Sequence, residues 1–378
     1  MQITRIIGCS GASALIPACL LWAAMPVYAD SGAPEEDLTH VRELAEKGSI
    51  PDEIALAGDY FSGTGVAQDS RMAAYWYEKA AGHGSPEAEN QIGYFYQAGI
   101  GVTQDSKRAA HWYQLASSSG FLRARVNLAL AYLRGFGVRQ DGDLAVKLLN
   151  QAYQAGNGTA ATYLGLVYYL GIAVKQDREL AEKWFESALN LHDPLAAYYL
   201  GSLYSVHPDH PHNLPRAANL LRLAADAGYV RAMLSLGLLL VNHPELKQTP
   251  QQSRALLETA ANAGSWRSSV ALGLLARDGR GTPADNKSAY FHFSVAVLQG
   301  GEEADHLIRR EMNAIAAKIG AEDSRQATAA AKAWFANHPL ALALVYKEGT
   351  VAHDFPTAAL ANAQDGTFAG QLVPLTGP

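Results

Sequence analysis

Apolar and polar positions along this chain alternate in a pattern that returns every 36 residues. One apolar column reads Leu56, Ile92, Leu128, Leu164, Leu200, Leu236 and Leu272. One residue later stand Ala57, Gly93, Ala129, Gly165, Gly201, Gly237 and Gly273, and four residues later Tyr60, Tyr96, Tyr132, Tyr168 and Tyr204. The spacing i, i+1, i+4 marks one face of a helix. A glycine within a helix costs about 1 kcal/mol relative to alanine. Its recurrence therefore predicts a second helix passing too close for a Cβ. That second helix is visible in the columns Ala73, Ala109, Ala145, Ala181, Ala217 and Ala289, and Ala80, Ala116, Ala152, Ala188, Ala224, Ala260 and Ala296. Bulky residues such as Trp76, Trp112, Leu148 and Trp184 sit between them, so small and large positions interdigitate. Each period predicts a helical hairpin.

Polar punctuation agrees. Asp69, Asp105, Asp141, Asp177 and Asp285 precede the second helix as N-caps. Gly84, Gly120, Gly156, Gly228, Gly264 and Gly300 are expected to end it in a left-handed conformation. His192 interrupts that column, so strain or another cap is expected there. Between the two helices runs G-x-G-V-x-x-D, as in Gly63-Thr64-Gly65-Val66, Gly99-Ile100-Gly101-Val102 and Gly135-Phe136-Gly137-Val138. No strand precedes these glycines and no Lys-Ser/Thr pair follows, so the loop reads as a turn and not a phosphate cradle. A fixed repeat of this length implies a stack in which each hairpin is stable only against its neighbours.

The combination A-x-x-x-L-G-x-x-Y, G-x-G-V-x-x-D and A-x-x-W-x-x-x-A resembles the Sel-like repeat family, a variant of the tetratricopeptide repeat with a longer turn. The resemblance covers residues 49–300 as seven in-phase units of 36 residues. It implies an all-α fold, a right-handed superhelical solenoid of paired antiparallel helices whose first helices line the concave side. Residues 30–48 are expected to hold a linker and a leading half-unit helix. Beyond residue 300 the phase weakens, and Asp305–Lys318 and Asp323–Asn337 read as closing helices within a 301–338 cap. The glycine turns are lost in the fifth and sixth units, which predicts a bend or weak point near 205–250.

Residues 1–29 do not belong to the repeat. Met1–Arg5 is a short basic segment, Ile6–Met25 an apolar run, and Val27-Tyr28-Ala29 a small-residue cleavage site. This is the pattern of a secretory signal peptide and predicts a periplasmic or secreted protein. Lipid attachment at Cys19 is the alternative reading. No other stretch has the ~20 apolar residues of a membrane span. Both cysteines, Cys9 and Cys19, fall within the leader, which excludes disulfides and thiolate chemistry from the remainder. Removing the leader would take one arginine and no acid, moving the formal charge from −6 to −7. With no basic run, nucleic acid is not an expected partner. The tail 339–378, with Pro356, Gly366, Gly370, Pro374 and Pro378, reads as irregular.

Candidate chemistry is sparse. His207, His210 and His212 replace the glycine turn of the fifth unit, and His243 stands one period after His207. Imidazoles so placed are weak candidates for zinc or copper, although the His-Pro pairs can simply end helices. No Ser-His-Asp order, H-E-x-x-H pair or G-x-S-x-G elbow is present, so neither a catalytic residue nor a cofactor is assigned.

The remaining candidate follows from the resemblance: positions equivalent to 51, 54, 58 and 61 line the groove. These supply Asn90, Tyr94, Gln97, Arg123, Thr162, Tyr169 and Tyr198 as partner-binding candidates. Tyr and Arg are common hot-spot residues. The expected function is a non-enzymatic adaptor or scaffold for protein partners in the cell envelope. The resemblance allows roles in exopolysaccharide secretion or in regulating a membrane sensor. The alternatives are carbohydrate binding, with Tyr94, Tyr169 and Tyr198 stacking on sugars, and a metal-dependent enzyme at the histidine loops.

Overall fold

Hairpin follows hairpin in the computed structural model, which describes residues 35–206, 213–246, 249–280 and 282–338. The leader, the 339–378 tail and His207, His210 and His212 lie outside the described residues. The described helices form two units, one ending at Asp193 and the other beginning at Pro194. The first contains α1 (Glu35–Glu46), α2 (Ile50–Ser62), α3 (Ser70–Gly82), α4 (Pro86–Ala98), α5 (Ser106–Ser118), α6 (Leu122–Arg134), α7 (Gly142–Gln154), α8 (Gly158–Leu170) and α9 (Arg178–Asn190). The second contains α10 (Pro194–Val206), α11 (Leu214–Asp226), α12 (Val230–Asn242), a 3-10 turn (Pro244–Leu246), α13 (Pro250–Asn262), α14 (Trp266–Asp278) and α15 (Asn286–Ala336). No strand occurs among the described residues. Within each unit every helix packs on the next in sequence, the arrangement of an all-α repeat solenoid.

The columns behave as the periodicity predicts. Leu56, Ile92, Leu164 and Leu200 are fully buried, each burial contributing about 1.5–3 kcal/mol. The close approach at the glycine column has a specific cause. A Cβ on Gly93 would lie 2.8 Å from the Tyr113 ring, and one on Gly165 2.6 Å from the Phe185 ring. The tyrosine column links successive repeats. Arg42 Nη2 donates to the Tyr60 hydroxyl at 2.9 Å. Tyr96 donates to Glu78 Oε2 at 3.1 Å, with the Arg108 guanidinium 4.0 Å above its ring.

Each capping aspartate accepts backbone N–H bonds at the start of its helix, as Asp69 does from Arg71 and Met72. His192 adopts a left-handed φ of 58°, so the chain accepts the strain instead of changing the cap. Ala173, also left-handed at φ 62°, occupies the column of Gly65, Gly101 and Gly137. A Cβ on Gly101 would lie 1.9 Å from the Ser70 carbonyl oxygen. The Ala173 methyl is accommodated because Gly142 replaces the serine of the facing helix start; a Cβ on Gly142 would lie 1.9 Å from it.

Two details differ from the sequence expectations. Gly300 does not end its helix; Gly301 turns the chain instead, at φ 56° and ψ −138°, and Gly320 breaks α15 again. The first-helix columns also continue past 300: Ala304 and Ile308, fully buried, stand one period after Ser268 and Leu272. The closing segments are held by Arg267–Glu303 (3.0 Å), Arg277–Glu311 (2.7 Å) and Lys287–Asp323 (2.9 Å).

Candidate partner-binding surface

First helices carry the candidate groups, and α4, α6 and α8 each end at a left-handed glycine, Gly99, Gly135 and Gly171. The Ser85 hydroxyl accepts from Ala88 N at the start of α4, and Gly99 closes it at φ 69°. On this frame Asn90 is 1 % exposed, Thr162 0 % and Tyr169 3 %. Their assignment to an open groove is corrected: these side chains face neighbouring helices. Asn90 Oδ1 accepts from Asn127 Nδ2 of the next first helix at 2.9 Å. Thr162 Oγ1 donates to Asp193 Oδ2 at 2.5 Å, a buried bond to the residue that closes its own hairpin ahead of α10. Val126, Leu130, Leu133 and Leu166 of the same columns are buried too. A first helix in a stack is covered on more sides than the two-faced pattern of an isolated amphipathic helix implies.

Tyr94, Gln97 and Arg123 remain partly exposed, all in the first unit. Gln97 Oε1 accepts from the Tyr113 hydroxyl at 2.8 Å, so its amide is tied to the core below. Tyr94 packs at the margin of that core. Burial lowers the Arg123 guanidinium below its ordinary value, with the Glu87 carboxylate opposing this. Its guanidinium lies 5.9 Å from the Phe121 ring. Tyr198, partly exposed beside Tyr199 with ring centroids 5.1 Å apart, belongs to the second unit.

Two partly exposed residues escaped the sequence reading: Asn127 and Arg134 of α6. They stand one residue beyond the expected columns, a rotation of about 100° around the helix. Their signal was polarity itself, because Leu122–Arg134 is otherwise apolar at its centre. Arg123 and Asn127, with Tyr94 and Gln97, are the partly exposed cationic, amide and aromatic groups of α4 and α6, whereas the Nε and Nη2 of Arg134 are buried. Such groups suit carboxylates and backbone amides of a polypeptide.

Among the described residues no three or more His, Cys, Asp or Glu side chains gather as metal ligands. His243 Nδ1 is 2.8 Å from Glu245 Oε1, a local pair at a helix end. No described helix is long and apolar enough to cross a membrane.

Six segments, 53–85, 86–121, 122–157, 158–193, 194–229 and 267–301, match the family model described as Sel1 repeat. The unmatched sixth hairpin is one that lost its glycine turn. No curated protein matches the chain. Among solved structures, a Sel1 repeat protein from Oxalobacter formigenes is 24 % identical, with a TM-score of 0.51 over 61 % of this chain and 100 % of that one. A protective antigen of uropathogenic Escherichia coli with an SLR fold is 25 % identical, with a TM-score of 0.44 over 83 % of this chain and 74 % of that one. An immunity protein from Pseudomonas aeruginosa is 21 % identical, with a TM-score of 0.40 over 68 % and 83 %.

Proposed function

The chain belongs to the Sel1 repeat family, whose repeats are protein-interaction scaffolds, and we propose that it is a non-enzymatic adaptor of the cell envelope. In this reading a polypeptide partner lies on the first-helix face of the first unit. The carrying observation is the partly exposed set of Tyr94, Gln97, Arg123 and Asn127 on two helices that both end at left-handed glycines, Gly99 and Gly135. A preformed surface costs little ordering when it binds. The leader at 1–29 supports export to the periplasm or medium. Roles in exopolysaccharide secretion or in restraining a membrane sensor both fit an exported adaptor. A sugar platform has less support, because Tyr169 is buried and Tyr198 belongs to the other unit.

Affinity capture from an envelope fraction tests the reading, with wild type, Arg123→Glu and Tyr94→Ala in parallel. Specific partners should be lost from both variants while the helical circular dichroism is unchanged. Equal recovery by all three chains would reject the surface. N-terminal sequencing of the exported chain should begin at Asp30.

A further inference from the structure

The first, second, third and seventh repeats carry a polar residue at one first-helix position, Glu53, Glu89, Arg125 and Ser269, and satisfy it differently. In α2, Glu53 is fully buried; Lys79 Nζ lies 3.2 Å from its Oε1 and His83 Nδ1 2.9 Å from its Oε2. Lys79 also donates to the Ala45 carbonyl at 3.0 Å. In the third repeat the position is Arg125, which donates to the Ser117 carbonyl at 3.2 Å. In the seventh it is Ser269, which donates to Gln299 Oε1 at 2.7 Å while Gln299 Nε2 donates to the Ala261 carbonyl at 2.7 Å.

In the second repeat the position is Glu89. It is 6 % exposed, and its Oε2 is buried with no hydrogen-bond partner. The 36-residue register places Leu115 where Lys79 stands and Ser119 where His83 stands. The two donors of the first repeat have been replaced by a hydrocarbon, 37 % exposed, and an exposed hydroxyl.

We propose that the second repeat binds a primary alkylammonium group, from a partner's lysine side chain or a polyamine, with the ammonium on Glu89 and the stem along Leu115. The first repeat supplies the template, because Lys79 already makes this approach to Glu53. A single buried carboxylate does not offer the several oxygens a Ca²⁺ or Mg²⁺ ion requires. A guanidinium fork is also a poorer match than a compact ammonium, since its bidentate mode needs both carboxylate oxygens aligned. The exposed leucine provides apolar surface for the methylene stem. Burial raises the Glu89 carboxyl above its ordinary value, with His111 of α5 opposing, so a cation would relieve an existing penalty.

Methyl NMR of the full chain at pH 8 tests this, reading Leu115 while pentylammonium, N-acetyl-lysine methylamide, cadaverine or neutral pentanol is added. The three ammonium compounds should shift the Leu115 methyls saturably and pentanol should not. Tighter binding of the lysine derivative than of cadaverine would identify a protein side chain as the source, and the reverse order a polyamine. In Glu89→Gln the ammonium affinity should fall about tenfold or more, the effect of losing a charge-assisted bond. Leu115→Lys should raise the thermal midpoint and remove the further stabilisation by pentylammonium. The proposal is overturned by absence of saturable shifts, by equal affinity in Glu89→Gln, or by a lowered midpoint in Leu115→Lys.

Discussion

Replacing His292 with leucine should make the second unit less sensitive to acid. Its column holds Trp76, Leu148, Leu220 and Leu256 in other repeats, so the site accepts hydrocarbon. Burial is the main cause, with the Arg254 guanidinium assisting and Glu258 opposing, that lowers the imidazole from 6.5 to about 4. The folded chain therefore takes up this proton less readily than the unfolded chain. The stabilising difference is complete above pH 6.5 and is lost as the pH falls from there towards 4. At 1.36 kcal/mol per unit the shift amounts to about 3 kcal/mol, reduced to about 2 by the side chain's partial exposure. Urea titrations of both chains at pH 7.5 and pH 4.5, followed by circular dichroism, isolate the effect. Carboxylates titrate alike in both proteins and cancel in the double difference. His292→Leu should lose about 2 kcal/mol less than wild type between the two conditions. Identical losses would refute the assignment of an uncharged, buried imidazole.

Backbone and packing predictions follow from the same repeats, each read from urea midpoints. Gly165→Ala should destabilise by about 1–3 kcal/mol, because its Cβ would press on the fully buried Phe185 ring. Ala173→Gly and His192→Gly should each stabilise by roughly 0.5–1 kcal/mol by removing a left-handed β-carbon; no gain would show that the surroundings already accommodate it. Thr162→Val should cost about 2 kcal/mol through the buried bond to Asp193, and an unchanged midpoint would mean that the carboxylate finds another donor.

Much of the fold was legible because it follows from local rules applied at a fixed interval. The aspartate caps, the left-handed glycines after first helices and the interruption at His192 all depend on backbone stereochemistry within a few residues. The eighth set of first-helix positions, Ala304 and Ile308, kept the register but was hidden by Arg309, which stands in the Gly/Ala column. A side chain there is tolerated because it points to solvent and contacts no second helix closely; Arg309 is exposed and pairs with Asp305.

The binding face was less legible. Leu56 and Ala80 declare themselves buried by composition, whereas Asn90 and Thr162 are polar and look exposed. Their burial depends on partners more than thirty positions away, Asn127 and Asp193, which no local window contains. Glu53 and Glu89 occupy the same column and differ only through residues nearly thirty positions on, where Lys79 and His83 give way to Leu115 and Ser119. The amino-acid order alone determined the helical hairpin, its period and its ends, since those obey short-range sterics and helical spacing. Only the tertiary arrangement decided which polar groups meet water and which meet each other, because that depends on the rotation of each helix against its neighbours.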